Sequence, residues 1–163
     1  MSLSRYTVVY CEKQLQTGDH ISWTTEQISG ISNHHAIVVA PKGKNTFKVI
    51  HVVNDVGDGY SSASYRSPTY FVREEIIDFS QQMSNGTLCC YDYEPRQCNE
   101  PVEVIQYARR KIGRFDYDAL NNNSEHFVRS CKTGIIVTIP FLLKLLLILS
   151  CAYIAIILWY LLC

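Results

Sequence analysis

The residues of this chain best suited to chemistry by type and placement are His34 and His51. His34 opens an apolar run, His35-Ala36-Ile37-Val38-Val39-Ala40, and His51 sits inside a second one, Phe47 to Val53. Between them lie Pro41, Lys42, Gly43, Lys44 and Asn45, a turn composition that makes the two runs the arms of a β-hairpin. Both imidazoles can then project toward one end or one face of the same sheet. With an ordinary pKa of about 6.5, one ring can take a proton while the other fixes its tautomer, which is the pairing of a general base with its orienting partner. His35 alternates onto the opposite face from His34 and reads as a structural histidine. Glu125 and His126 read as local hydrogen bonding at a helix start rather than as an acid and base pair. The histidines by themselves lack a nucleophile.

Five strands are expected: Asp19 to Trp23 introduced by Gly18, His34 to Ala40, Phe47 to Val53, Thr69 to Ile77 and Thr87 to Tyr93. The unbroken apolar stretch from His35 to Ala40 predicts a central strand covered on both faces. Asn54 to Pro68, rich in Gly, Ser, Asp and Tyr, reads as a long surface loop of the kind that faces substrate. A first helix is expected with Asn99 as N-cap, Pro101 in its first turn, and Val102, Ile105, Ala108 and Ile112 packing on the sheet before a stop at Gly113. A second begins near Asn122 or Asn123, turns Phe127 and Val128 inward and ends at Gly134. Strands first and helices last predict an α+β domain, an antiparallel sheet packed on helices.

The chain of 163 residues is long enough for one packed domain with an appendage and too short for two. Residues 135–163 supply the appendage, with 25 apolar residues of 29 and one charge, Lys144. Residues 1–134 form the expected domain, with 14 Lys and Arg against 15 Asp and Glu. That balance leaves no basic patch larger than Arg109, Arg110, Lys111 and Arg114, so a nucleic-acid partner is set aside. From Leu145 to Cys163 no charge interrupts 19 residues, and as a helix rising about 1.5 Å per residue this run just spans a bilayer. It has no polar stripe, unlike a helix buried in a globular core. Arg129 and Lys132 precede it, and Met1 to Cys11 holds no apolar signal core. The expectation is a single C-terminal anchor holding the domain on the cytosolic face of an intracellular membrane.

Seven cysteines, none at C-x-x-C spacing, predict reduced thiols rather than disulfides or a zinc site, and nothing in the pattern calls for a metal or a cofactor. Adjacent Cys89 and Cys90 fall in an expected strand, on opposite faces.

The segment Asn122-Asn123-Ser124-Glu125-His126-Phe127-Val128, followed by Cys131 and Gly134, resembles the N-C-E-H-F-V box of the lecithin:retinol acyltransferase family. Gly18 and Asp19 resemble that family's G-D opening. His34 with Ala36, Ile37 and Val38 resembles its H-W-A-I-Y-V strand, with His35 in place of tryptophan, and Val49-Ile50-His51-Val52 resembles its V-V-H-L strand. Box order, length and apolar tail are most similar to the H-Ras-like suppressor phospholipase A and acyltransferase proteins. The resemblance covers about residues 15–134 and the tail. It implies a permuted papain-like fold in which a cysteine thiolate at a helix start is the nucleophile, the first histidine its base and the second the orienter. Carried over, these are position 124, His34 and His51. Such a site attacks the ester carbonyl of a glycerophospholipid, forms an acyl-thioester, and passes the acyl group to water, an amine or an alcohol. A helix N-terminus and an adjacent imidazolium both lower a thiol's pKa.

Here position 124 is Ser124. A hydroxyl needs a far stronger base than a thiol does, so weak or no turnover is expected. Three readings of the serine stand open: a cysteine replaced to silence the enzyme, a pseudoenzyme keeping the fold to bind lipid or a protein, and a serine acyltransferase. Transfer to retinol is a further branch, echoed by Asn122, Asn123 and Cys131. Cys131, seven residues on, shares the helical face of Ser124 but lies about 10 Å along the axis, too far to use His34.

Overall fold

The computed structural model describes residues 5–27, 30–55 and 68–134. Seven strands, β1 (Arg5–Val8), β2 (His20–Gln27), β3 (Gly30–Gly43), β4 (Thr46–Asn54), β5 (Tyr70–Asp78), β6 (Leu88–Asp92) and β7 (Gly113–Phe115), form one sheet in the order β1-β6-β2-β3-β4-β5-β7. Every pairing is antiparallel. Three α-helices accompany it: α1 (Ser80–Ser84), α2 (Pro101–Arg110) and α3 (Ser124–Thr133). This is the α+β, antiparallel architecture expected, with β1, α1 and β7 added to the elements read from the sequence.

β3 is the fourth of seven strands, and Ala36, Ile37, Val38 and Val39 are all buried, as an apolar run without alternation requires. Its arm of the hairpin is longer than predicted and carries Pro41, paired with Phe47, between two register shifts. The turn therefore narrows to Lys44 and Asn45, with Asn45 in the left-handed region (φ 56°) that asparagine tolerates.

Alternation splits the core in two. Ala36 and Val38 of β3, Phe47 and Val49 of β4, and Ile21 and Trp23 of β2 pack with Phe79 and Met83 on one face. Ile37 and Val39, Ile50 and Val52, and Val72 of β5 pack on the other, against Val104, Ile105 and Ala108 of α2 and Phe127, Val128 and Cys131 of α3. Both long helices thus cover one side of the sheet.

The first long helix departs from its predicted register. Glu100, not Asn99, is its N-cap, and the Glu103 carboxylate accepts from the Glu100 N–H at 3.3 Å. Val102 and Ile112 stay exposed, and Val104 takes the inward position between them. The helix ends at Arg110, and Gly113, at φ 128°, opens β7. Asn99 instead ties the chain to the end of α3, its N–H donating to the Lys132 carbonyl (2.7 Å) and its Nδ2 to the Cys131 carbonyl (3.0 Å). α3 runs as predicted, from N-cap Asn123 to a left-handed Gly134 (φ 68°).

Of the loop from Asn54 to Pro68, Asn54 ends β4 and Asp55 holds Thr69 by two hydrogen bonds of 2.9 and 2.8 Å, while residues 56–67 lie outside the described residues. So does the predicted membrane anchor, 135–163. Among the described residues no helix is long and apolar enough to cross a membrane.

Candidate active site

The hairpin brings His34 and His51 together. His51 pairs opposite Ala36, and two residues along the same face His34 reaches it, Nε2 to Nδ1 at 2.8 Å. The other nitrogen of His51, Nε2, lies 3.2 Å from Oε2 of Glu75 on β5. A carboxylate only accepts, so His51 carries its proton on Nε2 and accepts through Nδ1 from the Nε2–H of His34. Nδ1 of His34 is left with a lone pair and no partner among the described residues. Nor is it sealed in: Gln82 Oε1 is the one buried side-chain polar atom without a partner in the described part of the chain. Trp23 packs against both rings, with centroids 4.6 Å from His34 and 6.3 Å from His51.

Burial, with repulsion from His51 and His35 added, pushes His34 down to about 3, so it is a neutral imidazole at physiological pH. His51 is also lowered by burial, which outweighs the opposing pull of the Glu75 carboxylate. The sequence reading missed Glu75, and an acidic residue in a strand that also carries Arg73 and Glu74 offers no signal of its own.

Ser124 is the first residue of α3 and half-buried. Asn123 fixes the helix start by accepting the His126 N–H on Oδ1 at 3.0 Å, and the His126 ring turns back to the same oxygen at 2.8 Å. Glu125 pairs with Arg129 at 3.1 Å along the helix. The Asn, Glu and His of the box are thus occupied locally, as expected. Ser124 itself makes no side-chain hydrogen bond among the described residues.

The faces matter most. His34 alternates with Ala36 and Val38, on the side away from α3, whereas α3 packs on the side of Ile37 and Val39. The buried face of α3 and the His34–His51 pair therefore pack on opposite faces of the sheet.

The α3 side carries its own imidazoles. His35 alternates with Ile37 and Val39, and His20 alternates opposite to Ile21 and Trp23, so both rings face α3. His35 Nδ1 and His20 Nε2 are 2.9 Å apart, and His20 Nδ1 is 2.7 Å from Tyr93 Oη. Tyr91 stacks on His20 with centroids 4.3 Å apart. Burial lowers both histidines, opposed at His35 by the Glu125 carboxylate, and raises Tyr93 above its ordinary range so that it keeps its proton. His35 is buried, hydrogen-bonded and on the face opposite His34, as the alternation predicted, and His20 was not singled out at all, because one histidine in a short strand gives no pattern.

Neither reactive cysteines nor metal ligands compete for the site. Cys131 is buried in the α3-side core and its thiol is pushed up to about 11, too high for a nucleophile at neutral pH. Cys90 is pushed up to about 12 by burial and by Asp19 beside it. The cysteines of the described part are all free thiols, and no group of three metal-ligating side chains occurs among the described residues.

A capped helix N-terminus with residue 124 at its first position, beside an antiparallel sheet that carries two imidazole pairs, defines an α+β protein with one layer of long helices on a sheet. The chain belongs to the lecithin retinol acyltransferase family, whose model matches residues 13–137 and so takes in β2 through α3. No curated protein and no solved structure matches.

Proposed function

We propose that the protein acts on glycerophospholipids through residue 124, as a phospholipase A and O- or N-acyltransferase of the H-Ras-like suppressor type with a permuted papain-like fold. With serine at that position we infer that it is impaired. The attacking atom adds to the ester carbonyl, the lysophospholipid leaves with the abstracted proton, and the acyl-enzyme is resolved by water, an amine or an alcohol.

The observation that carries this reading is the start of α3, in a member of this family: a capped helix N-terminus with residue 124 at its first position. The family pattern gives the base role to His34 and the orienting role to His51. Their 2.8 Å bond supports that pairing, and the far stronger base a hydroxyl needs than a thiol supports impaired turnover. The apolar run 135–163 supports a bilayer as the place of action, on its cytosolic side.

A second reading, a non-catalytic lipid- or protein-binding member of the family, is favoured by Ser124 having no imidazole hydrogen-bonded to it among the described residues. The two separate on phosphatidylcholine vesicles, with and without phosphatidylethanolamine, by mass spectrometry of lysolipid and N-acyl product. The protein as it stands is expected to turn over little, and Ser124→Cys to release lysolipid. Inactivity of both forms, with lipid binding retained, transfers the conclusion to the second reading.

A further inference from the structure

We propose that Glu75 is a positioning residue for acyl transfer: by accepting from His51 it holds both rings of the His34–His51 pair in one tautomer and keeps Nδ1 of His34 free to take a proton. The assignment rests on the acyl-transfer reading above, with His34 as its base, and adds a third group to the pair.

Alternation on β5 gives two neighbouring carboxylates two different surroundings. Glu74 turns with Val72 to the helix side of the sheet, where Arg109 of α2 donates to it twice at 3.0 Å and Lys48 lies 3.4 Å away. Glu75 turns with Ile77 to the other side, the side of Phe47 and Val49, which His51 shares. Arg73 stands opposite His51 in the ladder, so Glu75 is the diagonal neighbour of His51, and its Oε2 lies 3.2 Å from His51 Nε2. Its second oxygen, Oε1, is 3.8 Å from Arg73.

Among the described residues, the charged and titratable groups that act on His51 are Glu75 and Arg73 from β5 and its partner His34 from β3; those that act on His34 are His51 and His35. Of these, Glu75 alone favours a proton on the pair, against burial, Arg73 and the other imidazoles. Its larger effect is on tautomers. Without an acceptor at Nε2, His51 can carry its hydrogen on Nδ1 and donate to His34 Nε2. His34 would then hold its own hydrogen on Nδ1, and no basic nitrogen would face outward from the pair.

In the step itself, Nδ1 of His34 takes the proton of the residue-124 side chain as its oxygen or sulfur bonds to the ester carbonyl carbon. The carbonyl electron pair moves onto its oxygen. When it returns, the bond to the lysolipid oxygen breaks and the proton held on His34 goes to that leaving oxygen. No proton passes along the relay: His34 Nε2–H stays on its bond to His51, and His51 Nε2–H on its bond to Glu75.

The test uses the full chain in detergent micelles, labelled with nitrogen-15 at its five histidines, with the ring signals assigned through His34→Asn and His51→Asn. At pH 7 the nuclear magnetic resonance spectrum is expected to show His34 and His51 each protonated on Nε2. Glu75 is 41% exposed, so its replacement should leave the strand folded. Glu75→Ala is expected to move both rings away from that form. In the Ser124→Cys background it is expected to lower lysolipid release from phosphatidylcholine vesicles at least about 10-fold, as loss of an orienting carboxylate does in a catalytic triad. Glu75→Gln, which keeps an acceptor oxygen without the charge, is expected to fall between the two, and where thermal melting shows that Glu75→Ala does not fold it is judged by the same two measurements. Glu74→Gln removes an equal charge one residue away on the other face and is expected to leave the His34 and His51 signals in place. An unmoved spectrum in Glu75→Ala, an equal movement in Glu74→Gln, or full turnover by Glu75→Ala in an active Ser124→Cys protein overturns the assignment. If the Ser124→Cys protein is inert toward lipid, the acyl-transfer reading falls, and the spectrum alone judges whether Glu75 sets the tautomers: moved by Glu75→Ala, it supports that hold; unmoved, it overturns it.

Discussion

At the scale of single residues, the imidazoles make stability depend on pH in a direction the structure fixes. His34 is pushed down to about 3, against about 6.5 for an exposed ring, and His20, His35 and His51 are lowered too, burial being the leading cause in each. The unfolded chain takes up protons below about 6.5 that the folded chain refuses, so the unfolded state binds more protons and stability is lost as pH falls through that window. For His34 alone the loss reaches at most about 1.4 kcal/mol per pH unit between about 6.5 and 3. Urea unfolding at pH 7, 5.5 and 4.5 should show a steep fall, eased by His34→Gln. A stability that is flat across those values would contradict the buried, neutral relays. The identity of His34 and His51 as a pair was legible in the sequence, because a short turn forces two strands into one hairpin and leaves little choice of partner. Glu75 was not, since β5 joins the pair through a connection whose length carries no register information. The face of His35 was legible by alternation, but its partner His20 was not: period two tells which residues share a face, not which of them meet or which face the helices will cover.

At the scale of elements, two boxes of the sequence turn out to hold each other. Gly18, at φ 87°, sits where an added Cβ would lie 2.8 Å from the Pro101 Cα, at the first turn of α2. Its carbonyl accepts from the buried Lys132 Nζ at 3.0 Å, near the end of α3, and its N–H donates to the Val38 carbonyl at 2.7 Å. The Gly-Asp opening therefore pins α2, α3 and β3 at one point, and only glycine meets both the backbone angle and the close approach. Gly18→Ala should cost about 1–3 kcal/mol from the strained backbone alone, with the clash added. Asn123→Ala, which removes an N-cap without a clash, should cost about 1 kcal/mol. Chemical denaturation ranks the two, and a Gly18→Ala protein as stable as the parent would sink the pinning role. The strands and α3 were legible because long apolar runs and strong caps sit at their ends. The register of α2 was not: Val102, Ile105 and Ile112 satisfy helical spacing as well as Val104, Ile105 and Ala108 do, and only docking against α3 and β3 decides between them.

At the scale of the whole molecule, charge and hydropathy are distributed unevenly along the chain, and this bears on which part should bind lipid. The first 134 residues carry nearly balanced charge and bury their apolar side chains on the two faces of one sheet. Exposed apolar residues such as Tyr10, Val102 and Leu120 are scattered among different elements rather than gathered on one. Scattered exposure of this kind is ordinary for a soluble surface and supplies no strong membrane affinity. Residues 135–163 hold the opposite composition, 25 apolar of 29, with a 19-residue run free of charge. Hydrocarbon burial of such a run far exceeds what a water-facing domain surface offers, so attachment to lipid should be a property of the tail. In a flotation experiment with phosphatidylcholine vesicles, the full chain should rise with the lipid and a chain ending at Gly134 should stay at the bottom of the gradient. The shortened chain keeps every described element, so it should keep the melting temperature of the domain. If it floats equally well, lipid affinity belongs to the folded domain, and a phospholipid groove beside α3 becomes the first place to look. If it stays behind yet still deacylates detergent-dispersed phospholipid once Ser124→Cys is introduced, tethering and chemistry are separable, and the sheet with α3 is sufficient for the second.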